Sequence, residues 1–230
     1  MKINLTSSNP ALESIFNNPN QLITLDANIL IPPYRRVAKI SFNFKKYKNI
    51  WLDPLFNTFS NLAIHEAVYD ELVSPYLKKY ITRKINEKPS QLKLHKDSSL
   101  NENEKILRNA IEEKIYSYTK YDPLIDNKDD RGEVKSLAYI AVKGLIYFAS
   151  HDSNTIQLIE KAEEWSTSLD SVQAVKMYEL IFYLYKTNIS NKKNLRMLYK
   201  YLYYLTYKEK NENPNWGNYV KSMDKLYADY

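Results

Sequence analysis

One short apolar run constrains the fold of this chain more than any other stretch. It extends from Leu22 to Ile31, and its middle carries one carboxylate, Asp26, and one carboxamide, Asn28. A run this short and apolar predicts a buried parallel strand, and such strands place ligands just beyond their carboxyl ends. A bare carboxylate is costly to bury, so Asp26 must be hydrogen-bonded, paired or bound to a cation. Two interpretations stay open: Asp26 caps a following helix, or it belongs to a functional site.

The same pattern recurs later in the chain. Residues 145–150 indicate a second buried strand, and Asp152 and Asn154 follow it near the start of a helix expected over 155–165. If these carboxylates only capped helices, two of them at strand ends would be less expected. Because the carboxyl ends of parallel strands meet at one edge of a sheet, the sequence predicts that Asp26 and Asp152 lie at the same edge.

Two predicted helices carry further acids. In residues 65–73 the apolar side chains share one helical face, and Glu71 lies beside that face. In residues 130–143, Asp130 precedes a helix whose third residue is Glu133, which resembles a capping box with Asp in the cap position. The same spacing makes these two acids neighbours at one helix end. Capping and function therefore remain alternatives for the pair, and a surface position is the alternative for Glu71.

The alternation of apolar strands with helical segments predicts an α/β protein with a parallel sheet. The chain of 230 residues is long enough for one sizeable core. We assign residues 1–180 to this domain, with 74–104 as a connector or insertion because no periodicity is evident there. Residues 181–230 are assigned to a helical, tyrosine-rich C-terminal extension, whose tyrosine stripe is typical of helix packing.

The composition excludes several classes of site. The chain has no cysteine, which rules out disulfides, thiolate metal sites and cysteine nucleophiles, and its three histidines match no zinc motif. Its three glycines do not cluster, which argues against a phosphohydrolase with a glycine-rich phosphate loop. No apolar stretch is long enough to span a membrane, and the N-terminus lacks the apolar region of a signal peptide. We therefore expect a cytoplasmic protein with no membrane partner.

A basic segment with interleaved aromatic residues covers residues 34–48. The formal net charge of +6 is compatible with a polyanionic partner. Basic residues between aromatic ones can follow a phosphate backbone while bases stack on the rings. The candidate nucleic-acid-binding residues of this segment are Arg35, Arg36, Lys45 and Lys46. A solvated loop or a protein-binding surface is the alternative interpretation.

Carboxylates from several elements dominate the candidate chemistry. In chain order they are Asp26, Glu71, Asp130, Glu133 and Asp152. Oxygen-only sites of this charge suit Mg²⁺ or Mn²⁺, which keep several waters and take up substrate phosphates. The expected reaction is metal-assisted hydrolysis of a phosphodiester, in which one or two cations acidify the attacking water and offset negative charge.

Taken in order, these motifs resemble those of the PIN-domain nucleases, including the VapC-like ribonuclease toxins. The matching stretches are LDANIL at 25–30, HEAVYDEL at 65–72, DRGE at 130–133 followed by Leu137 and Ala138, and FASHDSNT at 148–155. The resemblance extends over about residues 22–165. It implies a three-layer α/β/α, Rossmann-like fold with a parallel sheet.

The resemblance also implies roles for individual residues. Asp26, Glu71, Glu133 and Asp152 correspond to the catalytic acids and metal ligands, with Asp130 as the alternative third acid. Asn28 corresponds to the polar residue that orients the first aspartate, and Asn154 to a further polar position. The segment between Glu71 and Asp130 is longer than in compact toxins.

Two hypotheses for function follow from these residues. The leading one is a Mg²⁺- or Mn²⁺-dependent endoribonuclease that cleaves single-stranded RNA. If the chain is a toxin, the resemblance implies a cognate antitoxin that blocks the acidic pocket; a homodimer is also allowed. The second hypothesis is a non-catalytic RNA-binding or scaffold protein on the same fold, supported by the basic segment and the tyrosine-rich C-terminus.

Overall fold

Five short strands form one parallel sheet in the computed structural model, which describes residues 1–37 and 42–230. The strands are β1 Ile23–Leu25, β2 Leu62–His65, β3 Leu92–His95, β4 Tyr147–Ser150 and β5 Gln173–Lys176. Their order across the sheet is β3-β2-β1-β4-β5. The first strand is therefore central, with Ile23 opposite Leu62 on one side and Tyr147 on the other. The predicted α/β class with a parallel sheet is confirmed.

Helices make up most of the remaining regular structure. They are α1 Pro10–Asn17, α2 Ala27–Leu30, α3 Phe44–Tyr47, α4 Asp53–Thr58, α5 Glu66–Asp70, α6 Pro75–Asn86, α7 Glu102–Tyr116, α8 Arg131–Val142, α9 Ser153–Glu160, α10 Ala162–Trp165, α11 Met177–Lys186, α12 Lys192–Tyr203, α13 Tyr207–Glu212 and α14 Trp216–Leu226. A π-helical segment, Lys48–Leu52, joins α3 to α4, and Asp97–Ser99 forms one 3₁₀ turn. Across residues 1–37 and 42–230, no helix has both the length and the apolar character needed to cross a membrane.

The chain divides into two compact units. The sheet unit contains Leu22–Ile31 and Asn61–Val175, and the helical unit contains Met1–Gln21, Pro32–Ser60 and Lys176–Tyr230. In the sheet unit, α8 packs against α7 and β2, while α6 packs beside β3. The apolar face of α8 is fully buried because Val134, Leu137 and Ala138 recur at helical spacing.

The tyrosine-rich C-terminal third is helical, as predicted, and its rings form much of the core of the helical unit. Tyr199 and Tyr219 stack with their ring centroids 4.3 Å apart. The hydroxyl of Tyr219 donates to the backbone carbonyl of Tyr178 at 2.5 Å, which satisfies a polar group inside an apolar core. These tyrosines therefore pack helices together, as the sequence indicates.

Three features differ from the sequence-based boundaries. The apolar run that starts at Leu22 does not continue as a strand to Ile31, because β1 ends at Leu25 and the chain turns helical after Asp26. Residues 74–104 are not a plain connector, since they contain α6 and the edge strand β3, which pairs with β2. The two compact units also interleave along the chain, whereas the sequence predicts a single boundary after residue 180.

Candidate metal centre

Asp26 lies immediately beyond the carboxyl end of the central strand. Its side chain is 1% exposed and caps α2, accepting the backbone N–H of Ala27 at 2.6 Å. Its other oxygen, Oδ2, accepts the hydroxyl of Ser150 at 2.6 Å and a hydrogen bond from the Asn28 carboxamide. Asp26 is thus a helix cap and, at the same time, a buried carboxylate at the edge where open α/β sheets generally bind ligands.

Asp152 occupies the equivalent position after β4, which is the neighbour of β1. Its Oδ1 caps α9 by accepting the backbone N–H groups of Asn154 at 2.7 Å and Thr155 at 3.0 Å. The backbone N–H of Asp152 donates to the hydroxyl of Ser150 at 2.9 Å, and that hydroxyl donates to Asp26. One serine hydroxyl therefore links the two strand-end aspartates.

Asn28 completes this link between the two strand ends. Its Nδ2 donates to Asp26 and, at 3.1 Å, to the hydroxyl of Ser150, while its Oδ1 accepts the backbone N–H of His151 at 2.8 Å. The carboxamide thus holds the Asp26 carboxylate in one orientation. Asn154 is different, because its side chain is exposed and only its backbone N–H contacts the cluster.

Glu133, the third residue of α8, brings a third carboxylate to the strand ends that carry Asp26 and Asp152. Burial raises the pKa of Glu133 well above its usual value, and the negative charges of Asp26 and Asp152 raise it further. Burial also raises the pKa of Asp26, and the charges of Glu71 and Asp152 add to that effect. The direction of these shifts is the one expected for acids that lie near one another.

Glu71 follows α5 and reaches the N-terminus of α8. Its Oε1 accepts the backbone N–H of Gly132 at 2.7 Å. Burial raises the pKa of Glu71, whereas the Gly132 hydrogen bond and the charge of Arg131 lower it. We call Asp26, Glu71, Glu133 and Asp152 the acidic cluster. Within residues 1–37 and 42–230, no lysine or arginine forms an ion pair with Asp26, Glu133 or Asp152.

Asp130 does not form the capping box that the sequence suggests. Its backbone is left-handed, with φ of 56°, and its side chain makes no capping hydrogen bond to α8. Instead its carboxylate accepts the backbone N–H of Lys120 at 2.9 Å, which ties down the loop before the helix. After burial, the charges of Asp26 and Asp152 are the largest causes that raise the pKa of Glu133. Of the two alternatives for the third acid, the contact of Asp130 with Lys120 and these charge effects favour Glu133.

Gly132 permits the close approach of Glu71 to α8. A Cβ at this position would lie 2.9 Å from Cδ of Glu71, which is closer than real Cβ contacts allow. We expect Gly132→Ala to displace the Glu71 carboxylate from the Gly132 N–H and to lower the free energy of unfolding by about 1 kcal/mol relative to the same change at Gly217, measured by chemical denaturation. Gly217 is the matched control, because it is also the second residue of a helix and its nearest neighbour would be 3.5 Å away. Equal effects of the two substitutions would contradict this role of Gly132.

Ser150 is a residue of the site that sequence reasoning does not identify. It is 1% exposed and carries the hydrogen bonds that join Asp26 to the Asp152 backbone. Because the Ser150 hydrogen bond lowers the Asp26 pKa, Ser150→Ala should raise that pKa and cost about 1–3 kcal/mol of unfolding free energy. Carbonyl-stretch infrared titration and denaturation measure the two effects, with exposed Ser98→Ala as the control. An unchanged Asp26 titration in Ser150→Ala would contradict the role of this hydroxyl.

The four basic residues predicted to bind nucleic acid belong to the helical unit. Residues 38–41 of the basic segment 34–48 lie outside the described residues. Arg35 is committed to internal contacts: its guanidinium donates to the carbonyls of Tyr201 at 2.9 Å and Leu202 at 3.0 Å and pairs with Glu209. It therefore fixes the end of α12 and is poorly placed to bind nucleic acid. The side chains of Arg36 and Lys45 are exposed, and Lys46 covers the ring of Phe42 at 5.0 Å.

A second group of potential ligands occurs in the sheet unit. Among the described residues, His65, Glu66 and Asp97 are the set whose ligand atoms all lie within 4.8 Å of one another. The Nδ1 atom of His65 accepts the backbone N–H of Ala67 at 3.2 Å, so its Nε2 carries the proton that faces Asp97. That tautomer leaves the imidazole without a free lone pair for a cation.

The two carboxylates of this group, Asp97 and Glu66, also have partners within the protein. Asp97 forms an ion pair with Arg108 at 3.0 Å, and Glu66 accepts the backbone N–H of Asp97 at 2.8 Å. These contacts hold a buried histidine and a buried arginine beside a carboxylate. We therefore interpret this group as a structural network, and the acidic cluster as the better metal candidate.

Comparison with known proteins adds no relative from which a function could be transferred. No family model, no curated protein and no solved structure matches this chain. The functional interpretation consequently depends on the residues and geometry of the acidic cluster.

Proposed function

We propose that this chain is a Mg²⁺- or Mn²⁺-dependent endoribonuclease that hydrolyses phosphodiester bonds of single-stranded RNA at the acidic cluster. One observation carries the proposal: carboxylates from two adjacent strand ends and a facing helix converge with no basic side chain paired to them in the described residues. Such a concentration of negative charge around the buried Asp26 is costly unless protons or a cation offset it.

The donor set fits a hard divalent cation. All the candidate ligands are carboxylate oxygens, and small carboxamide and hydroxyl groups surround them. Mg²⁺ and Mn²⁺ prefer such oxygens, and Mg²⁺ in particular keeps several of its waters. Within the described residues, no three acids of the cluster have oxygens that all lie within 4.8 Å of one another. Some contacts between a cation and these carboxylates would therefore be made through water.

Each side chain of the cluster would contact such a cation in a different way. Asp26 is fixed by Asn28 and Ser150, which prevents it from rotating away. Asp152 uses Oδ1 to cap α9, so its Oδ2 is the oxygen that can face a cation. Glu133 approaches from α8 and adds the third charge. A divalent cation bound here supplies the positive charge that acidifies an attacking water and offsets charge on the phosphate.

The substrate assignment depends on the resemblance of the motifs. The order of the four acids resembles that of the PIN-domain ribonucleases, and this favours single-stranded RNA over other phosphodiesters. A cognate antitoxin is a prediction of the same resemblance, whereas a homodimer and a cytoplasmic location are separate predictions. A non-catalytic RNA-binding protein is the second candidate function, favoured by the exposed cations Lys193, Arg196 and Lys200, which line a pocket in the helical unit.

Cleavage of a labelled single-stranded RNA tests the proposal. We expect the wild-type protein to cut within the strand when Mg²⁺ or Mn²⁺ is present and to stop when a chelator is added. Asp170→Asn is the control for preparation artefacts, because Asp170 is exposed and outside the cluster, and it should cut like the wild type. If several RNAs bind but none is cut in either metal, the chain is an RNA-binding protein and the nuclease proposal is wrong.

A further inference from the structure

The helical unit contains a second candidate site, which is lined mainly by one face of α12. Five residues that share this face lie one, three or four positions apart along α12 and its C-terminal cap. They are Lys193, Arg196, Met197, Lys200 and Tyr204. They line a pocket of about 710 Å³. That volume is in the range of pockets that hold small ligands or short segments of a larger one.

Positive charge surrounds this pocket and is not neutralised within the protein. Lys193, Arg196, Lys200 and Lys210 all line it, and none forms an ion pair in the part of the chain that the structure describes. Elsewhere in the same unit, by contrast, Arg35 pairs with Glu209. We call the pocket with its four cations the basic pocket. Its charge calls for an anionic ligand with several negative groups.

The spacing of the cations suits a chain of phosphates. Lys193, Arg196 and Lys200 are three and four residues apart, which corresponds to steps of about 4.5 and 6 Å along the helix axis. Steps of this size resemble the separation of successive phosphates in an extended nucleic-acid strand. A single compact anion would not use all three positions.

The floor of the pocket is apolar and aromatic. Phe42 and Tyr201 meet edge to face with centroids 4.6 Å apart, and both are almost fully buried. Tyr204 is only half-buried, and no ring in the described residues stacks on it. A flat base can therefore lie against Tyr204, over the apolar floor, while phosphates face the cations.

We propose that the basic pocket binds single-stranded nucleic acid, with phosphates at Lys193, Arg196, Lys200 and Lys210 and a base against Tyr204. An acidic amphipathic helix is the competing occupant, because it also offers negative charge and apolar side chains. Such a helix binds through apolar anchors in a hydrophobic groove, whereas the exposed side chains that α12 contributes to this pocket are those of Lys193, Arg196 and Lys200. The half-buried tyrosine beside a row of cations favours bases and phosphates.

The test measures the binding of a fluorescent single-stranded RNA of about ten nucleotides. Fluorescence anisotropy, recorded in the presence of a chelator, reports the binding. We expect Arg196→Gln combined with Lys200→Gln to lower the slope of log K against log salt by about 1.4, or about 0.7 for each lost phosphate contact. Tyr204→Ala should weaken binding by about tenfold. Lys221→Gln with Lys225→Gln removes two exposed cations of α14 and is the matched control.

Two further arms separate the alternatives. The wild type should keep its affinity for RNA in chelator, because the proposed binding needs no cation. Poly-glutamate should compete much more weakly than unlabelled RNA. The proposal is overturned if the α12 double variant and the α14 control lose affinity equally, if a chelator abolishes binding, or if poly-glutamate competes as well as RNA. Failure of RNA cleavage leaves these outcomes unaffected, so the two proposals can fail separately.

Discussion

Asp26→Asn is expected to lower metal-dependent cleavage of RNA by more than about a hundredfold, because it removes the most buried oxygen ligand of the cluster. Asparagine caps helices as well as aspartate does, so α2 should keep its N-terminal hydrogen bond. The new amide nitrogen faces two donors, Ser150 and Asn28, so the variant should lose about 1–3 kcal/mol of unfolding free energy while it keeps the fold. Initial rates of cleavage at saturating Mn²⁺ measure the loss, and circular dichroism checks the fold.

The control for this substitution is Asp170→Asn, which makes the same chemical change at an exposed aspartate of the sheet unit. Its cleavage rate should match that of the wild type. A folded Asp26→Asn protein that cleaves RNA at the wild-type rate would contradict the assignment of Asp26, and the capping role would then be sufficient to explain its position.

The second large effect concerns stability and pH. Burial raises the pKa values of Asp26, Glu71 and Glu133, so the folded protein holds these protons to a higher pH than the unfolded chain does. This contribution to stability is fully present below about pH 4, where both states are protonated, and is lost as the pH rises through the raised pKa values. The metal-free protein should therefore become less stable from about pH 5 towards about pH 9.

Glu133→Gln should remove much of this loss, because glutamine remains neutral in the folded protein. In chelator, we expect the variant to exceed the wild type in unfolding free energy by about 2 kcal/mol near pH 9 and to differ little near pH 4. Urea denaturation across this range measures the difference. Mn²⁺ should stabilise the wild type at high pH and should stabilise the variant much less.

Glu163→Gln is the control for this comparison, since Glu163 is exposed on α10 and outside the cluster. It should follow the wild-type dependence on pH. A Glu133→Gln protein with the same pH dependence as the wild type would show that Glu133 is already ionised and well solvated in the folded state, which is the opposite of a buried, protonated carboxyl.

The strand-end acids could be predicted from the sequence because strong physical constraints act on them. Apolar runs that end in Asp26 and Asp152 identify two buried parallel strands, and neighbouring parallel strands end at the same edge. Glu133 could also be anticipated from its position in the first turn of a helix. Capping and participation in the cluster are not exclusive, because both aspartates cap a helix and still face the cluster.

Other features depend on contacts that a sequence pattern does not encode. The strand β3 contains only two leucines separated by a lysine, so its hydrophobic pattern is too short to detect, although Leu92 pairs with Leu62 in the sheet. Ser150 is one hydroxyl at the end of an apolar run, and only its hydrogen bonds distinguish it. Arg35 carries a charge that predicts an exposed side chain, but its partners come from residues more than 160 positions away.

Mn²⁺ titration calorimetry tests the central claim most directly, because it measures cation binding without assuming a substrate. Three proteins should be compared: the wild type, Asp26→Asn, and Glu66→Gln, which removes a charge from the His65 network while keeping an acceptor for the Asp97 N–H. We predict that the wild type and Glu66→Gln bind Mn²⁺ alike and that Asp26→Asn does not bind it. If the wild type binds no Mn²⁺, or if Glu66→Gln loses binding while Asp26→Asn retains it, the acidic cluster is not the metal centre.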